Sequence, residues 1–312
     1  MNERRKAVVI LNPFSHGETG RKRWEKVKPF VETRFELEII ETTGDWKERL
    51  GQAIDQGVRV ILAAGGDGTV HDALNALGSR ASPRLSEFTL GGIGLGSSND
   101  FHKPILNPVL GIPVKIDADQ SRLRDVMEVT IENGEGPKLK KLFIVSSSIG
   151  FVAEANDYFN KAHGLMKFLK KQSTALAIPF AAVKTIFTYR NVPVRMKHGA
   201  DTWDSNLSSF HVMKTLYLSG SFRFDTEIEP NNRKFSVNLM EDFSLREIIQ
   251  STIDLSSGKF LKGYVGKKRR HWETDVWEVQ SDKPLPLELD GELYEFTKAS
   301  FRIFPDAIRE CV

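Results

Sequence analysis

Two rhythms of apolar and polar positions divide the 312-residue chain. In the first third, short apolar runs alternate with segments whose apolar residues recur every three or four positions. Residues 6–11 (KAVVIL) predict a strand, and 21–34 predict a helix with Trp24, Val27 and Val31 on one face, bent or shortened by Pro29. Residues 35–41 (FELEIIE) alternate as a strand does. Residues 45–56 predict a helix that turns Trp46, Leu50, Ala53 and Ile54 inward and stops at Gly57. The runs 58–64 and 89–95 are continuously apolar, like strands buried on both faces of a parallel sheet, and 69–78 predicts the helix between them. This β-α-β order implies a parallel sheet clothed by helices, with ligands beyond the carboxyl ends of its strands.

The second rhythm starts near residue 122. Short β-rich runs at 127–132, 141–147, 192–197, 209–219, 234–239, 276–280 and 299–304 are separated by turns and predict a mostly antiparallel β-sandwich. Residues 156–190 predict a helical insert. The expected organisation is an α/β domain with a parallel sheet at 1–122 and a β-rich domain at 123–298. A C-terminal segment, 299–312, would return to the first domain.

Composition changes this picture little. With 40% hydrophobic residues the chain can bury one large core or two ordinary ones, and its length favours about two domains. A formal charge of +3 does not by itself imply nucleic acid, and no reader motif is present, so no nucleic-acid partner is expected. The single cysteine, Cys311, excludes an internal disulfide and a cysteine-cluster metal site, which fits a reducing compartment. The apolar run at 7–11 is too short for a signal peptide, and the longest apolar stretch, 175–183, contains a proline and is too short to span a membrane. A soluble, cytoplasmic protein is expected.

Candidate chemistry sits where the strands end. Gly65-Gly66-Asp67-Gly68-Thr69 joins a buried strand to a helix, where glycines allow close backbone approach and the first helical amides favour anions. A plain tight turn capped by Asp67 or Thr69 is the simpler reading. Residues 91–101 (GGIGLGSSNDF) repeat the device after the next strand, and 12–20 (NPFSHGETG) after the first. Three such loops along one sheet edge point to a nucleotide crevice.

These residues resemble the diacylglycerol kinase catalytic-domain family, which includes bacterial lipid kinases and the sphingosine and ceramide kinases. The resemblance rests on GGDGT (65–69), on Gly96-Ser97-Ser98-Asn99-Asp100-Phe101, on Asn12-Pro13-Phe14-Ser15, and on Leu289-Asp290-Gly291-Glu292 near the C-terminus. It implies a diacylglycerol kinase/NAD kinase-like fold and an ATP-dependent lipid kinase. ATP would lie against Asn12, Pro13, Ser15, Thr42, Thr43, Gly65, Gly66, Asp67, Gly68, Thr69, Asp72, Gly96, Ser97 and Asn99. Mg²⁺ carried with ATP would meet Asp67, Asp100 and Glu128, and Asp290 and Glu292 would activate the acceptor hydroxyl. Without the resemblance, Asp290-Gly291 reads equally well as a hairpin turn.

The chain also departs from the family pattern. His71 and Asp72 stand where an asparagine and a glutamate are usual. The later acidic segment is eroded to Ser219-Gly220-Ser221-Phe222 and Asn231-Asn232-Arg233-Lys234. In several bacterial members that region binds a structural magnesium; with Arg233-Lys234 where an acid is needed, no structural metal is expected here. Residues 157–198 carry Lys161, Lys167, Lys170, Lys171, Lys184, Arg190, Arg195 and Lys197 among apolar side chains, and 262–270 adds five more cations. Such stretches suit either an anionic membrane surface or a solvated basic face. The lipid would enter between the domains. The seven histidines show no metal-type spacing, and His71 reads as a helix-surface residue or a ligand contact. Alternatives are a kinase of a soluble acceptor such as NAD and a catalytically inactive lipid- or nucleotide-binding protein; a homodimer stays open.

Overall fold

Continuous apolar runs form a parallel sheet because only there are both faces of a strand covered. In the computed structural model, which describes residues 4–81, 84–160, 184–263 and 268–312, these runs are β1 (Arg5–Leu11), β2 (Phe35–Glu41), β3 (Val60–Gly65) and β4 (Thr89–Gly94). β1 pairs in parallel with β2 and β3, and β3 with β4, giving the order β2-β1-β3-β4. The chain therefore moves outward on opposite sides of the β1/β3 boundary. That is a switch point, where the loops after β1 and β3 part and leave a crevice.

Helices α1 (Gly20–Glu32), α2 (Trp46–Asp55) and α3 (Asp67–Ala81) connect these strands. Pro29 lies inside α1 without ending it. Burial of Trp24, Val27 and Val31, at roughly 2 kcal/mol each, outweighs the ~3 kcal/mol that an interior proline costs. Helix α3 starts two residues before the expected position, so Asp67 belongs to its first turn. A short β5 (Val114–Lys115) runs antiparallel to β4.

Two compact units divide the chain. The first is Met1–Val126 with Pro305–Val312, the second Met127–Phe304. The chain leaves the first unit within β6 (Arg122–Glu132), so the expected boundary at 122 falls at the start of one continuous strand. In the first unit, Val9, Leu62, Ile93 and Cys311 pack with the inward face of α1. The C-terminal residues join by strand pairing, Arg309 and Glu310 running parallel to Thr89 and Leu90.

The second unit is antiparallel. Its strands are the end of β6, β7 (Leu139–Phe143), β8 (Ser146–Gly150), β9 (Val192–His198), β10 (Asp201–Met213), the two-residue β11 (Tyr217–Leu218) and β12 (Phe222–Arg223), β13 (Phe235–Glu241), β14 (Arg269–Thr274), β15 (Val276–Leu289) and most of β16 (Glu292–Glu310). A sandwich of two separate sheets is not what forms. The order β14-β13-β10-β8-β15-β16 is one hydrogen-bonded series, and β9 pairs with both β10 and β15. Long strands make this feasible, with a bulge between Leu207 and Ser209 and an irregularity between Gln280 and Leu285.

One face carries a core of Phe210, Val212, Leu239, Trp277, Leu287 and Phe301. The other packs Met213, Met240 and Phe224 against helix α4 (Phe151–Asn160) and helix α5 (Leu245–Ser256). Helix α5 opens with a capping box between Ser244 and Glu247. Of the expected insert at 156–190, residues 161–183 lie outside the described residues, and with them Lys161, Lys167, Lys170 and Lys171. No helix among the described residues is long and apolar enough to cross a membrane.

Candidate functional site

The carboxyl ends of β1, β2, β3 and β4 place four loops side by side in the first unit. Thr42 N–H donates to Leu11 O at 2.9 Å, which brings residues 42 and 43 to the loop after β1. Asn12 Nδ2 donates to Thr69 Oγ1 at 3.4 Å, linking that loop to the start of α3 across the switch point. His16 Nδ1 and Ser97 Oγ lie 3.1 Å apart, tying it also to the loop after β4. Ser15 Oγ donates to Asn12 O at 3.1 Å and stabilises the first loop from within, and Pro13 is buried beneath it.

The glycines have a packing reason that the motif reading missed. A Cβ on Gly65 would stand 2.0 Å from Thr69 Oγ1, and one on Gly96 only 2.4 Å from the Cα of Gly66. The two glycine loops touch backbone to backbone, which leaves no room for side chains between them. Gly66 and Gly68 remain half exposed at the start of α3.

Several expected ligand contacts instead hold the loops together. Asn99 is buried in the left-handed conformation (φ 52°). Its Oδ1 accepts from Gly96 N–H at 3.1 Å and its Nδ2 donates to Gly96 O at 2.9 Å. Asp67 Oδ2 and Oδ1 accept from the N–H groups of Asp100 and Phe101 at 3.0 and 2.9 Å. Asp100 itself is buried and paired with Lys103 Nζ at 2.7 Å. It starts a single 3₁₀ turn rather than a longer helix. Asp72 is half buried one turn into α3, and His71 is buried, not on the helix surface.

The three carboxylates expected around Mg²⁺ are divided between the units, with Asp67 and Asp100 in the first. Glu128 belongs to the second unit, where Arg302 Nε donates to it at 2.7 Å. Among the described residues no group of three or more His, Cys, Asp or Glu is arranged to hold a metal ion. Asp67 is half exposed.

One cation here escaped the sequence reading. Arg23 on α1 donates from Nη2 to Gly94 O at 3.1 Å, at the carboxyl end of β4. Only a basic run at 21–23 marked it, and nothing in that run separates an inward arginine from its solvated neighbours.

In the second unit, Asp290 and Gly291 form the tip of the β15–β16 hairpin with φ of 48° and 95°. Positive φ at both positions is what a two-residue hairpin requires. Asp290 is 1% exposed. Its Oδ1 accepts from Val145 and Ser146 N–H at 2.9 and 3.0 Å, and its Oδ2 from Ile144 N–H at 3.0 Å. These bonds explain why the expected strand 141–147 breaks into β7 and β8: the amides between them turn to the carboxylate. Glu292, on the far side of the turn, is exposed.

Behind the hairpin runs a polar row that alternation alone did not reveal. Glu288, Ser148, His211, Asn238 and His271 are register partners on β15, β8, β10, β13 and β14. His211 lies between Ser148 Oγ (3.1 Å) and Ser209 Oγ (2.9 Å), and burial lowers its pKa to about 3. It is a neutral hydrogen-bonding group at ordinary pH. Ser209 also lines a small pocket with Phe151, Val152, Met240, Ile248 and Leu255. Helix α4 connects pocket to hairpin, since Asn156 Nδ2 donates to Gly291 O at 3.2 Å.

Comparison with known proteins supplies the family. The diacylglycerol kinase catalytic domain profile matches residues 6–134. A Xanthomonas euvesicatoria protein named "Probable lipid kinase YegS-like" is 34% identical over 281 residues, covering 89% of this chain and 84% of that one. A Bacillus subtilis diacylglycerol kinase is 22% identical over 291 residues, covering 92% and 90%. A crystal structure of a diacylglycerol kinase from Bacillus anthracis superposes with a TM-score of 0.67 at 16% identity, covering 100% of this chain and 98% of that one. The glycine loops, the Asp290 hairpin and these likenesses together place the chain in the diacylglycerol kinase catalytic-domain family of phosphotransferases.

Proposed function

We propose that the protein transfers the γ-phosphate of ATP to a lipid hydroxyl. The observation that carries the lipid half of this reading is the pocket in the second unit. Its lining is mostly apolar, and Ser208, Ser209, Ser251 and Thr252 supply a few hydroxyls. Phe151 at its wall and Asn156 at the hairpin lie on one helix, about 7.5 Å apart along the axis.

ATP fits the first unit on the chemistry of the loops. Backbone amides at the start of α3, the exposed Ser97 hydroxyl and Arg23 are donors suited to phosphate oxygens, and Asn12, Thr42 and Thr43 add small polar groups. Mg²⁺ bound with the nucleotide would neutralise phosphate charge, with half-exposed Asp67 the carboxylate best placed to face it. Glu292 is the candidate to take the acceptor's proton, and Asp290 sets the turn that presents it. Asn99, Asp100 and Glu128 act as structural members rather than ligands.

Membrane contact is part of the same proposal. Leu245, Ile249 and Ile253 recur one helical turn apart on the outer face of α5 and are 44%, 38% and 53% exposed. Lys259, Lys262, Lys268 and Arg270 follow in the chain. An apolar stripe with nearby cations suits an anionic bilayer surface.

The test is transfer of labelled γ-phosphate from ATP, with Mg²⁺, to diacylglycerol, monoacylglycerol, sphingosine or ceramide in mixed micelles, with NAD as the soluble control. Label in one lipid class and none in NAD is expected. No label in any lipid rejects the proposal.

A further inference from the structure

A lysine ammonium occupies the interior of the second unit. Lys214 follows β10 and is 2% exposed. Its Nζ donates to the backbone carbonyl of Glu229 at 2.7 Å and to Asn232 Oδ1 at 2.8 Å. Asn232 Oδ1 also accepts from Lys234 N–H at 3.1 Å, and Arg233 between them is left-handed at φ 59°. One internal cation thus gathers two oxygens three residues apart and holds the tight bend that follows. At its other end Lys214 N–H donates to Val145 O at 3.1 Å, and the N–H of the same peptide, that of Ser146, donates to Asp290. The clamp and the hairpin share one peptide group.

Residues 229–234 belong to the segment where the family resemblance implies a structural magnesium. The residues present do not fit that ion. Magnesium demands six oxygens near 2.1 Å and dehydrates reluctantly, so it needs carboxylate charge. Here the side-chain oxygen is a neutral amide, two basic residues follow it, and the donors stand at ammonium distances. We infer that Lys214, carried on the chain just after β10, is the fixed cation of this bend, holding 229–234 by hydrogen bonds and making the fold independent of divalent ions. If the proposed kinase reading holds, the magnesium dependence of turnover then reports the nucleotide complex alone.

The test uses thermal unfolding of the full chain without ATP or lipid, so its outcome does not depend on the kinase reading. Wild-type Tm is expected to be the same in EDTA and in excess Mg²⁺. Lys214→Met is expected to lower Tm by at least about 4 °C and to speed protease cleavage within 229–234, while Lys214→Arg keeps most of the stability. The paired change Lys214→Ala with Asn232→Asp exchanges the ammonium for a carboxylate and space, and its Tm is expected to rise with Mg²⁺. A wild-type Tm that falls on chelation overturns the inference. So does a Lys214→Met protein with unchanged Tm, or a double variant as indifferent to Mg²⁺ as the wild type. Should Lys214→Met fail to fold, the wild-type chelation and the double variant still decide.

Discussion

Each unit pins a loop of its candidate site with an aspartate, and the two differ in how deeply. Asp67 accepts two backbone N–H groups and stays half exposed. Asp290 accepts three and is buried. The first unit builds its site from backbone, with glycines pressed together and small polar side chains between loops. The second builds from buried side chains: Asp290, His211 and Lys214 each hold several partners away from water. A backbone-built site is sensitive to added atoms, whereas a side-chain-built one is sensitive to lost charge.

The largest expected effect tests whether the first unit also depends on one buried charge. Glu310 carries the ion pairs of Arg124 and Lys115, at 2.6 Å for Lys115. Burial alone would raise its pKa, but the two cations hold it below the ordinary value. Glu310→Gln would strand both, costing about 3–5 kcal/mol. Chemical denaturation should show the loss, with hydrogen-exchange protection falling in the first unit. A loss under 1 kcal/mol would mean that the pairs are incidental.

Asp290→Asn comes next, at about 3 kcal/mol, because the asparagine tolerates the left-handed turn but offers one acceptor where three amides converge. Amide exchange at 144–146 should rise. Asp67→Asn should cost less than half as much, and equal losses would erase the contrast between the units. Gly96→Ala should cost 1–3 kcal/mol and weaken ATP binding, since its Cβ has no space against Gly66. Wild-type ATP affinity in that variant would show that the loops can part freely. Arg23→Ala should weaken ATP binding about tenfold with Tm unchanged; calorimetric titration reads the first and thermal unfolding the second.

The effect that is smallest near neutral pH is shared by both units. Burial lowers His102 to about 4, with Lys115 adding to it, and His211 to about 3. Because both values lie below the ordinary 6.5, the unfolded chain takes up protons first. Stability from these groups is complete above about pH 7 and declines as pH falls from 6.5 towards 4 and 3. Below about 4.5, Glu310 adds a further loss in the first unit, because its carboxylate protonates in the unfolded chain while the folded one stays ionised. His211→Asn should flatten part of the slope in a series of Tm against pH.

Much of the first unit was legible in the chain because its devices are local. Apolar runs, the glycines at 65–68 and 96 and the inward face of α1 are written in neighbouring residues. Pro29 misled only because tertiary burial outweighs a local rule. The second unit was less legible, since its decisive contacts join distant segments. No spacing reveals that residues 144–146 close on Asp290, that Ser148 and Ser209 bracket His211, or that Lys214 points inward. Motif residues such as Asn99 and Asp290 were found by resemblance, yet their bonds give them structural roles that a motif does not encode.

The return of Pro305–Val312 to the first unit has a consequence for biosynthesis. On the ribosome, β4 emerges early but stays without its Arg309–Glu310 partner until the whole second unit has been made. Arg124 and Lys115 likewise wait for Glu310. The sheet of the first unit is therefore completed last although its first strands are encoded first. A nascent chain stalled before residue 305 would hold a finished second unit beside an unfinished first one.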